Sequence, residues 1–239
     1  MMIKMKKLSV IIPVYNEEKT VEKVLDYIFR KKFPLELEVL VVNDGSQDKS
    51  EEIIKNFIKR YKAKSKKIKI KLFSKKNEGK GSAVRLGIKM AKGDIIIIQD
   101  ADLEYNPDDY NKIIKPIIDG KEKVVYGSRF LKKHKPLYKI YYLGNKFLTL
   151  LTKIIYGTNI TDMETCYKVF RSDVIKSIEI KSNKFDIEPE ITAKILKRGI
   201  RIMEIPISYT TRSVKEGKKI GWKDGLKAIY TLIYWRFRD

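Results

Sequence analysis

The chain has 239 residues, and its 52 Lys and Arg against 30 Asp and Glu give a formal net charge of +22. This length can bury a full hydrophobic core, and the single cysteine, Cys166, excludes an internal disulfide and a metal site built from several cysteines. No segment reaches the roughly 18 uninterrupted apolar residues of a membrane span, and no apolar signal core precedes the first predicted strand, so we expect a cytoplasmic protein.

The first half of the chain alternates between predicted strands and predicted helices. The strands are short apolar runs rich in Val and Ile, and the helices repeat apolar residues at spacings of three and four. In chain order, the strands are Leu8–Val14, Glu38–Val42, Ile68–Phe73 and Ile95–Ile98, and the helices are Thr20–Arg30, Ser50–Tyr61 and Gly81–Ala91. Such alternation predicts an α/β fold with a mostly parallel sheet covered by helices on both faces.

The pattern changes after Val124. A short predicted strand, Val124–Gly127, is followed by a basic loop and by a segment with a broad aromatic and apolar surface, Leu137–Tyr156. A further helix at Ile187–Arg198, a strand at Ile200–Ile205 and a closing helix at Trp222–Phe237 complete the predicted elements. We expect one domain over residues 1–220 and an amphipathic helix over residues 221–239, which either lies in a membrane interface or packs on the sheet.

Two carboxylates follow the most apolar predicted strand. The run Ile95–Ile98 is typical of a strand buried on both faces, and Gln99-Asp100-Ala101-Asp102 comes directly after it. Open α/β sheets bind ligands at this end of their strands. Asp100 and Asp102 can share one divalent ion and leave positions open for substrate phosphates, although a solvated turn is the simpler alternative.

Three further polar segments end predicted strands or begin a predicted helix. Pro13–Glu18 and Asn43–Ser46 follow the first and second strands, and Asn77–Ala83 enters a helix through two glycines. Because the strands are expected to be parallel, all of these turns would meet at one edge of the sheet. A glycine-containing entry into a helix also offers backbone N–H groups to an anion.

The positive charge calls for a polyanionic partner. Nucleic acid, an anionic membrane surface and phosphorylated substrates all fit a net charge of +22. Part of the excess lies in the lysine-rich run from Lys59 to Lys67, which is typical of a solvated connection, and lysine enrichment also accompanies a hot habitat. Charge alone therefore leaves the partner open.

The ordered motifs together resemble glycosyltransferase family 2, and most closely its polyprenyl-phosphate branch, which includes dolichol-phosphate mannose and glucose synthases. The motifs that carry the resemblance are Pro13–Glu18, Asn43–Ser46, Asn77–Gly81, Gln99–Glu104 and Gly127–Phe130, followed by Asp162–Lys168 and Arg212–Lys219. The resemblance implies an A-type glycosyltransferase fold, which is a Rossmann-like, mostly parallel sheet with helices on both faces, here with C-terminal interfacial or amphipathic helices. It also implies a metal-dependent, inverting transfer from a UDP- or GDP-sugar to a polyprenyl (dolichyl) phosphate.

The resemblance also assigns roles to individual residues. The residues expected to bind the nucleotide are Pro13, Tyr15, Glu17, Asp44, Lys80, Asp100, Ala101, Asp102 and Arg212. The metal, Mg²⁺ or Mn²⁺, would be held by Asp100 and Asp102, with Glu104 at a position that is commonly glutamine in the mannose synthases. The residues expected to act in catalysis are Asp100, Asp102, Arg129, Arg212 and Lys218, the last two by stabilising the leaving diphosphate.

The acceptor decides whether the enzyme needs a general base. A phosphomonoester is already an anionic nucleophile at neutral pH, because its second pKa is near 6. Arg129, with Lys132 and Lys133 close behind it, is expected to hold such a phosphate, and the only histidine, His134, is a poor candidate for a base. A lipid-phosphate acceptor is therefore favoured.

Two alternatives stay open at this stage. An enzyme of the same fold could act on a saccharide hydroxyl, with Glu164, Asp186, Glu188 or Glu190 as its base. A basic membrane- or nucleic-acid-binding module with a vestigial site is less favoured, because Asp44, Asp100 and Asp102 would repel a nucleic-acid backbone. We expect no nucleic-acid partner and a peripheral location at the inner face of the cell membrane, with homo-oligomerisation or a separate membrane partner as options.

Overall fold

A computed structural model describes residues 5–64, 68–132, 138–211 and 221–238 of the chain. The strands are β1 (Lys7–Val14), β2 (Glu36–Asn43), β3 (Ile68–Ser74), β4 (Ile95–Ile98), β5 (Val124–Ser128), β6 (Lys168–Arg171) and β7 (Met203–Pro206). The helices are α1 (Val21–Arg30), α2 (Ser50–Lys64), α3 (Lys80–Met90), α4 (Tyr110–Ile118), α5 (Lys139–Tyr156), α6 (Ser172–Lys176), α7 (Ile187–Lys197) and α8 (Trp222–Phe237). A short 3₁₀ turn, Pro107–Asp109, precedes α4.

The described strands form one sheet in the order β3-β2-β1-β4-β6-β5-β7. Neighbouring strands are parallel except where β6 runs antiparallel to both β4 and β5. Helices cover both faces, so the predicted α/β class and the mostly parallel sheet are confirmed. The direction of strand order reverses between β1 and β4, and such reversals create the crevice in which α/β proteins bind ligands.

The core of the sheet lies in its central strands. The four isoleucines of β4 are at most 1% exposed, as expected for a strand packed on both faces. Residue Ile11 of β1 pairs in register with Ile98 of β4, and Val14 pairs with Asn43 of β2. The ends of β1, β2 and β4 therefore reach the same edge of the sheet, which is where the polar turns begin.

Three elements were not predicted, and two predicted ones are shifted. Strand β6 contains only two apolar residues between Lys168 and Arg171, which is too few to indicate a strand. Helices α4 and α6 were also missed, although α4 has a helical stripe of buried residues. The segment expected to begin at Leu137 is a helix only from Lys139, and the strand expected from Ile200 begins at Met203, after the turn at Gly199.

The last helix packs on the rest of the chain along one side. Residues Ala228, Leu232 and Trp235 of α8 are buried, and the main-chain oxygen of Leu232 accepts a hydrogen bond from the Tyr156 hydroxyl of α5 at 2.7 Å. Among the helices of the four described ranges, none combines the length and the apolar character that a bilayer crossing requires.

Candidate active site

The turn after β2 is fixed to the loop that precedes α3. The Asp44 carboxylate accepts hydrogen bonds from Lys75 Nζ at 2.9 Å and from the backbone N–H of Gly79 at 2.7 Å. Gly79 has a φ of +108°, and a Cβ there would approach the Asn183 carbonyl oxygen to 2.5 Å, so only glycine fits. Asp44 thus orders the loop that contains Gly79. Its predicted contact with the nucleotide would use lone pairs of the carboxylate oxygens that these hydrogen bonds leave available.

The turn after β1 is fixed to the same region. The N–H of Asn16 donates to Ser46 Oγ at 3.0 Å, and Asn16 Oδ1 accepts from the N–H of Gln47 at 2.8 Å. The N–H of Glu17 donates to Ser50 Oγ at 2.8 Å. Of the residues predicted to bind nucleotide here, Pro13 lies near the end of β1, and Tyr15 and Glu17 lie in the turn, all partly exposed. The turns after β1 and β2 are therefore one hydrogen-bonded unit.

The turn Asp100–Asp102, which follows β4, is fixed by the residues on either side of it. Gln99 is fully buried, its Oε1 accepts from the hydroxyls of Tyr110 and Tyr167 at 2.7 and 2.6 Å, and its Nε2 donates to the Asp100 carbonyl at 2.8 Å. Leu103 then adopts a left-handed φ of +59°, a conformation that costs free energy in a residue with a side chain. Gln99, to which the motif alone assigned no role, therefore anchors the start of the turn at the sheet edge through the Asp100 carbonyl.

Asp100 begins a buried chain of alternating charges. Lys80 Nζ of α3 lies 2.8 Å from Asp100 Oδ1 and 3.1 Å from Glu188 Oε1. Glu188 Oε2 in turn pairs with Lys168 Nζ at 2.5 Å, and the Lys168 side chain is fully buried. Burial of Lys80 acts against its charged form, but the nearby carboxylates outweigh this and raise its pKa well above the ordinary value. Lys80 is therefore a permanent cation beside Asp100, as a diphosphate-binding residue would be.

Asp102 and Glu104 differ in their surroundings. Asp102 Oδ1 accepts from the N–H of Glu104 at 3.1 Å, whereas Glu104 Oε2 accepts from the Tyr209 hydroxyl at 2.9 Å. Within the described ranges, no group of three His, Cys, Asp or Glu side chains could hold a metal by itself. Two carboxylates nevertheless fit Mg²⁺ or Mn²⁺, because such ions are often bound by one or two carboxylates together with substrate phosphates. Whether Glu104 ligates the ion stays a prediction.

Arg129, predicted to hold the acceptor phosphate, lies directly after β5 in a buried ion pair. Its Nε and Nη2 donate to the two oxygens of Asp162 at 2.8 and 2.7 Å, and the guanidinium lies 5.2 Å from the centre of the Tyr209 ring. Burial acts against the charge, but Asp162 raises the pKa of Arg129 well above its ordinary value. Asp162 thus occupies two of the five N–H groups of the guanidinium, and a phosphate contact would use N–H groups that remain on the two Nη atoms.

The remaining predicted basic residues are not all described. Lys132 is exposed, and its Nζ lies 3.4 Å from Ser208 Oγ. Lys133, Arg212 and Lys218, together with His134, lie outside the described residues, so their predicted roles stay predictions. The structure brings Lys80 and Glu188 to Asp100 and joins Arg129 to Asp162. No signal in the sequence marks Lys168 as buried, because the two apolar residues that follow it are too few to indicate a strand.

Comparison with known proteins agrees with this arrangement. The family model described as glycosyl transferase family 2 matches residues 9–179. A dolichol-phosphate mannosyltransferase from Pyrococcus furiosus is 30% identical over 96% of this chain, which spans 64% of that protein. A UDP-N-acetylglucosamine--dolichyl-phosphate N-acetylglucosaminyltransferase from Methanococcus voltae is 30% identical over 95% of both chains.

Solved structures share the fold. Glucosyl-3-phosphoglycerate synthase from Mycobacterium tuberculosis, in complex with Mn²⁺, UDP and glucosyl-3-phosphoglycerate, superposes with a TM-score of 0.74. The identity is 18%, and the match covers 96% of this chain and 80% of the other. At this identity the similarity concerns the fold alone. With a family match over most of its length, and with an A-type fold, the chain belongs to glycosyltransferase family 2 and is a glycosyltransferase.

Proposed function

We propose that this enzyme transfers a sugar from a nucleoside-diphosphate sugar to a polyprenyl (dolichyl) phosphate, with inversion and with help from Mg²⁺ or Mn²⁺. The observation that carries the proposal is the position of Asp100 and Asp102 at the end of β4, with Lys80 of α3 in contact with Asp100 and the buried guanidinium of Arg129 after β5. The first group suits a metal-bound diphosphate, and the second suits a phosphate acceptor. The names of the similar mannosyl- and N-acetylglucosaminyltransferases support the same acceptor class.

The chemistry follows from the charges of these residues. An acceptor phosphate oxygen attacks the anomeric carbon as the bond from that carbon to the diphosphate oxygen breaks, and the nucleoside diphosphate leaves with the electron pair. Lys80, 2.8 Å from Asp100, would hold a diphosphate oxygen, and Asp100 and Asp102 would hold the ion. A bound divalent cation would offset the negative charge that grows on the leaving group. No proton has to be removed from the acceptor, because its phosphate is already anionic.

Three of the four carboxylates considered as bases for a hydroxyl acceptor are committed to other partners. Glu188 pairs with Lys80 and Lys168, and Glu190 accepts from the N–H groups of Lys181 and Ser182. Asp186 pairs with Lys227 at 2.9 Å. This favours a phosphate acceptor. Glu164, whose pKa burial raises to about 7, is the one observation that favours the alternative function, transfer to a saccharide hydroxyl.

A transfer assay tests the proposal. The protein is incubated with labelled UDP-glucose, UDP-N-acetylglucosamine or GDP-mannose and either dolichyl phosphate or dolichol, in Mg²⁺, in Mn²⁺ or in EDTA. We expect a labelled lipid from dolichyl phosphate with one donor class, and none in EDTA. A product that forms with dolichol or with a saccharide, but not with dolichyl phosphate, would instead establish the hydroxyl-acceptor reaction.

We further propose that residues 1–220 form the catalytic domain and that residues 221–239 help to attach it to the cytoplasmic face of the cell membrane. Helices α5 and α8 pack together, yet each carries a stripe of large apolar residues that are between 45% and 83% exposed. These residues are Ile140, Leu143, Phe147, Leu150 and Ile154 of α5, and Trp222, Leu226, Tyr230, Ile233 and Phe237 of α8. Apolar and aromatic stripes beside basic residues are typical of helices that lie in a membrane interface.

Charge insertion into this face should weaken membrane binding. We expect the double variant Phe147→Glu, Ile154→Glu to bind anionic vesicles at least about 100-fold less tightly, since burying the two apolar side chains together contributes about 3–6 kcal/mol. Flotation with phosphatidylserine vesicles measures this, and Tyr27→Glu, at an exposed aromatic of α1, is the matched control. Equal flotation of wild type and double variant would contradict the proposal, and a dimer that the double variant loses would assign the face to a second copy of the chain.

A further inference from the structure

Glu164 has a buried oxygen that lacks a hydrogen-bond partner. It lies in the loop before β6. Among the buried side-chain oxygens and nitrogens of the described residues, Glu164 Oε1 is the one without a hydrogen-bond partner. A buried acceptor without a donor costs about 1–3 kcal/mol, so each such group in a folded protein calls for an explanation, of which a functional role is one. Burial, the largest effect, raises its pKa to about 7, and the neighbouring Lys168 only partly opposes this.

The two cations near Glu164 are occupied by other groups. Lys168 Nζ donates to Glu188 Oε2 at 2.5 Å and to the carbonyl oxygens of Met163 and Thr165 at 2.9 and 2.5 Å, which accounts for all three of its N–H bonds. Arg129 is committed to Asp162 through Nε and Nη2. Neither cation therefore satisfies Glu164 Oε1, and no other described residue does so, which leaves this oxygen available to a donor on a bound substrate.

The position of Glu164 indicates what that donor is. Two residues before it, Asp162 holds Arg129, which we proposed for the acceptor phosphate. Two residues after it, the Cys166 thiol lies beside Asp100 and Lys80, on the side proposed for the donor diphosphate. The sugar being transferred has to lie between the leaving diphosphate and the attacking phosphate. Glu164 is midway between Asp162 and Cys166 in this loop, and both Arg129 and Glu188 are close enough to act on its charge.

We propose that Glu164 accepts a hydrogen bond from a hydroxyl group of the transferred sugar and thereby helps to select the sugar. This inference rests on the proposed glycosyl transfer and deepens it. A carboxyl oxygen matches a hydroxyl donor in either protonation state. A site that pairs a buried acceptor with a substrate hydroxyl discriminates against a sugar that lacks the hydroxyl, because the acceptor is then left unpaired. Glu164 is thus a specificity residue, and no proton transfer to it is required.

A comparison of deoxy sugars tests the assignment. The nucleotide sugar that wild type uses best, and its analogues lacking one hydroxyl each, are assayed with wild type, Glu164→Gln and Glu164→Ala. We expect removal of one particular hydroxyl to lower kcat/KM of the wild type by about 10- to 100-fold, as for a hydrogen bond to a charged group. The same removal should lower kcat/KM of Glu164→Ala by less than about threefold, because the partner is already absent.

Direct binding separates this inference from the proposed reaction. Titration calorimetry with Mg²⁺ compares UDP or GDP with the matching nucleotide sugar, and we expect the Glu164 variants to lose the affinity that the sugar adds while binding the free nucleotide normally. If wild type binds the sugar in this way but transfers nothing to dolichyl phosphate, the proposed reaction fails while the role of Glu164 stands.

Glu204→Gln is the matched control. The Glu204 carboxylate lies beside the same loop, and its oxygens accept from the N–H groups of Thr161 and Asp162 and from the Thr161 hydroxyl. If Glu204 has a purely structural role, Glu204→Gln should change kcat/KM by the same factor for every nucleotide sugar. The assignment of Glu164 is overturned if its variants also affect every analogue equally, if they leave kcat/KM unchanged, or if they lower kcat for a hydroxyl acceptor alone, which would make Glu164 a general base.

Discussion

Replacing Asp102 with Asn is expected to lower metal-dependent sugar transfer by about 100- to 1,000-fold while the fold is retained, the range found when a group that stabilises transition-state charge is removed. Asparagine keeps the side-chain oxygen that accepts the N–H of Glu104 at 3.1 Å, but it lacks the charge that attracts a divalent ion. Initial rates over a range of Mn²⁺ concentrations measure the loss, and excess Mn²⁺ should restore part of the activity.

Asp102 is a cleaner test than Asp100. Changing Asp100 would also remove a partner of Lys80, so a loss of activity could arise from a displaced lysine instead of a missing metal ligand. Asp119→Asn, which alters an exposed ion pair with Lys115 at 3.1 Å, is the control for a nonspecific loss of charge. Full activity of Asp102→Asn in Mg²⁺ would remove Asp102 from the metal site.

The positions of these carboxylates could be predicted from the sequence because they depend on local pattern. Four isoleucines in a row indicate a strand buried on both faces, and parallel strands bring the turns that follow them to one edge. The same reasoning fails for β6, whose two apolar residues lie between Lys168 and Arg171. Lysine is ordinarily exposed, and the ion pair with Glu188, 20 residues further along the chain, compensates the charge of the buried Lys168.

The same limit explains what the sequence could not show at the candidate site. Arg129 was expected to be available to a phosphate, and its pairing with Asp162, 33 residues away, depends on how the loop before β6 folds back on β5. Likewise, Lys80 and Asp100 are 20 residues apart and meet only because α3 begins at the edge where β4 ends. Residue types and spacings thus predict which groups reach the edge, whereas the fold decides how these groups pair.

Replacing Arg129 with Met is expected to lower the free energy of unfolding by about 3–5 kcal/mol, the usual cost of leaving one partner of a buried ion pair. The Asp162 side chain is fully buried and would lose the two hydrogen bonds it receives from the guanidinium. Urea unfolding measures the change. The exposed pair of Arg171 and Asp173 is the control, and Arg171→Met should cost no more than about 1 kcal/mol.

The double variant Arg129→Met, Asp162→Asn separates the structural role of Arg129 from its proposed role toward the acceptor. Removing both charges leaves no uncompensated ion in the interior, so we expect it to recover much of the stability that Arg129→Met loses. If Arg129 also holds the acceptor phosphate, the double variant still has a raised KM for dolichyl phosphate and an unchanged affinity for the nucleotide. A double variant that transfers sugar as well as the wild type would show that the guanidinium is structural alone. The acceptor phosphate would then have to be held by other cations, of which exposed Lys132 is the nearest in sequence among the described residues.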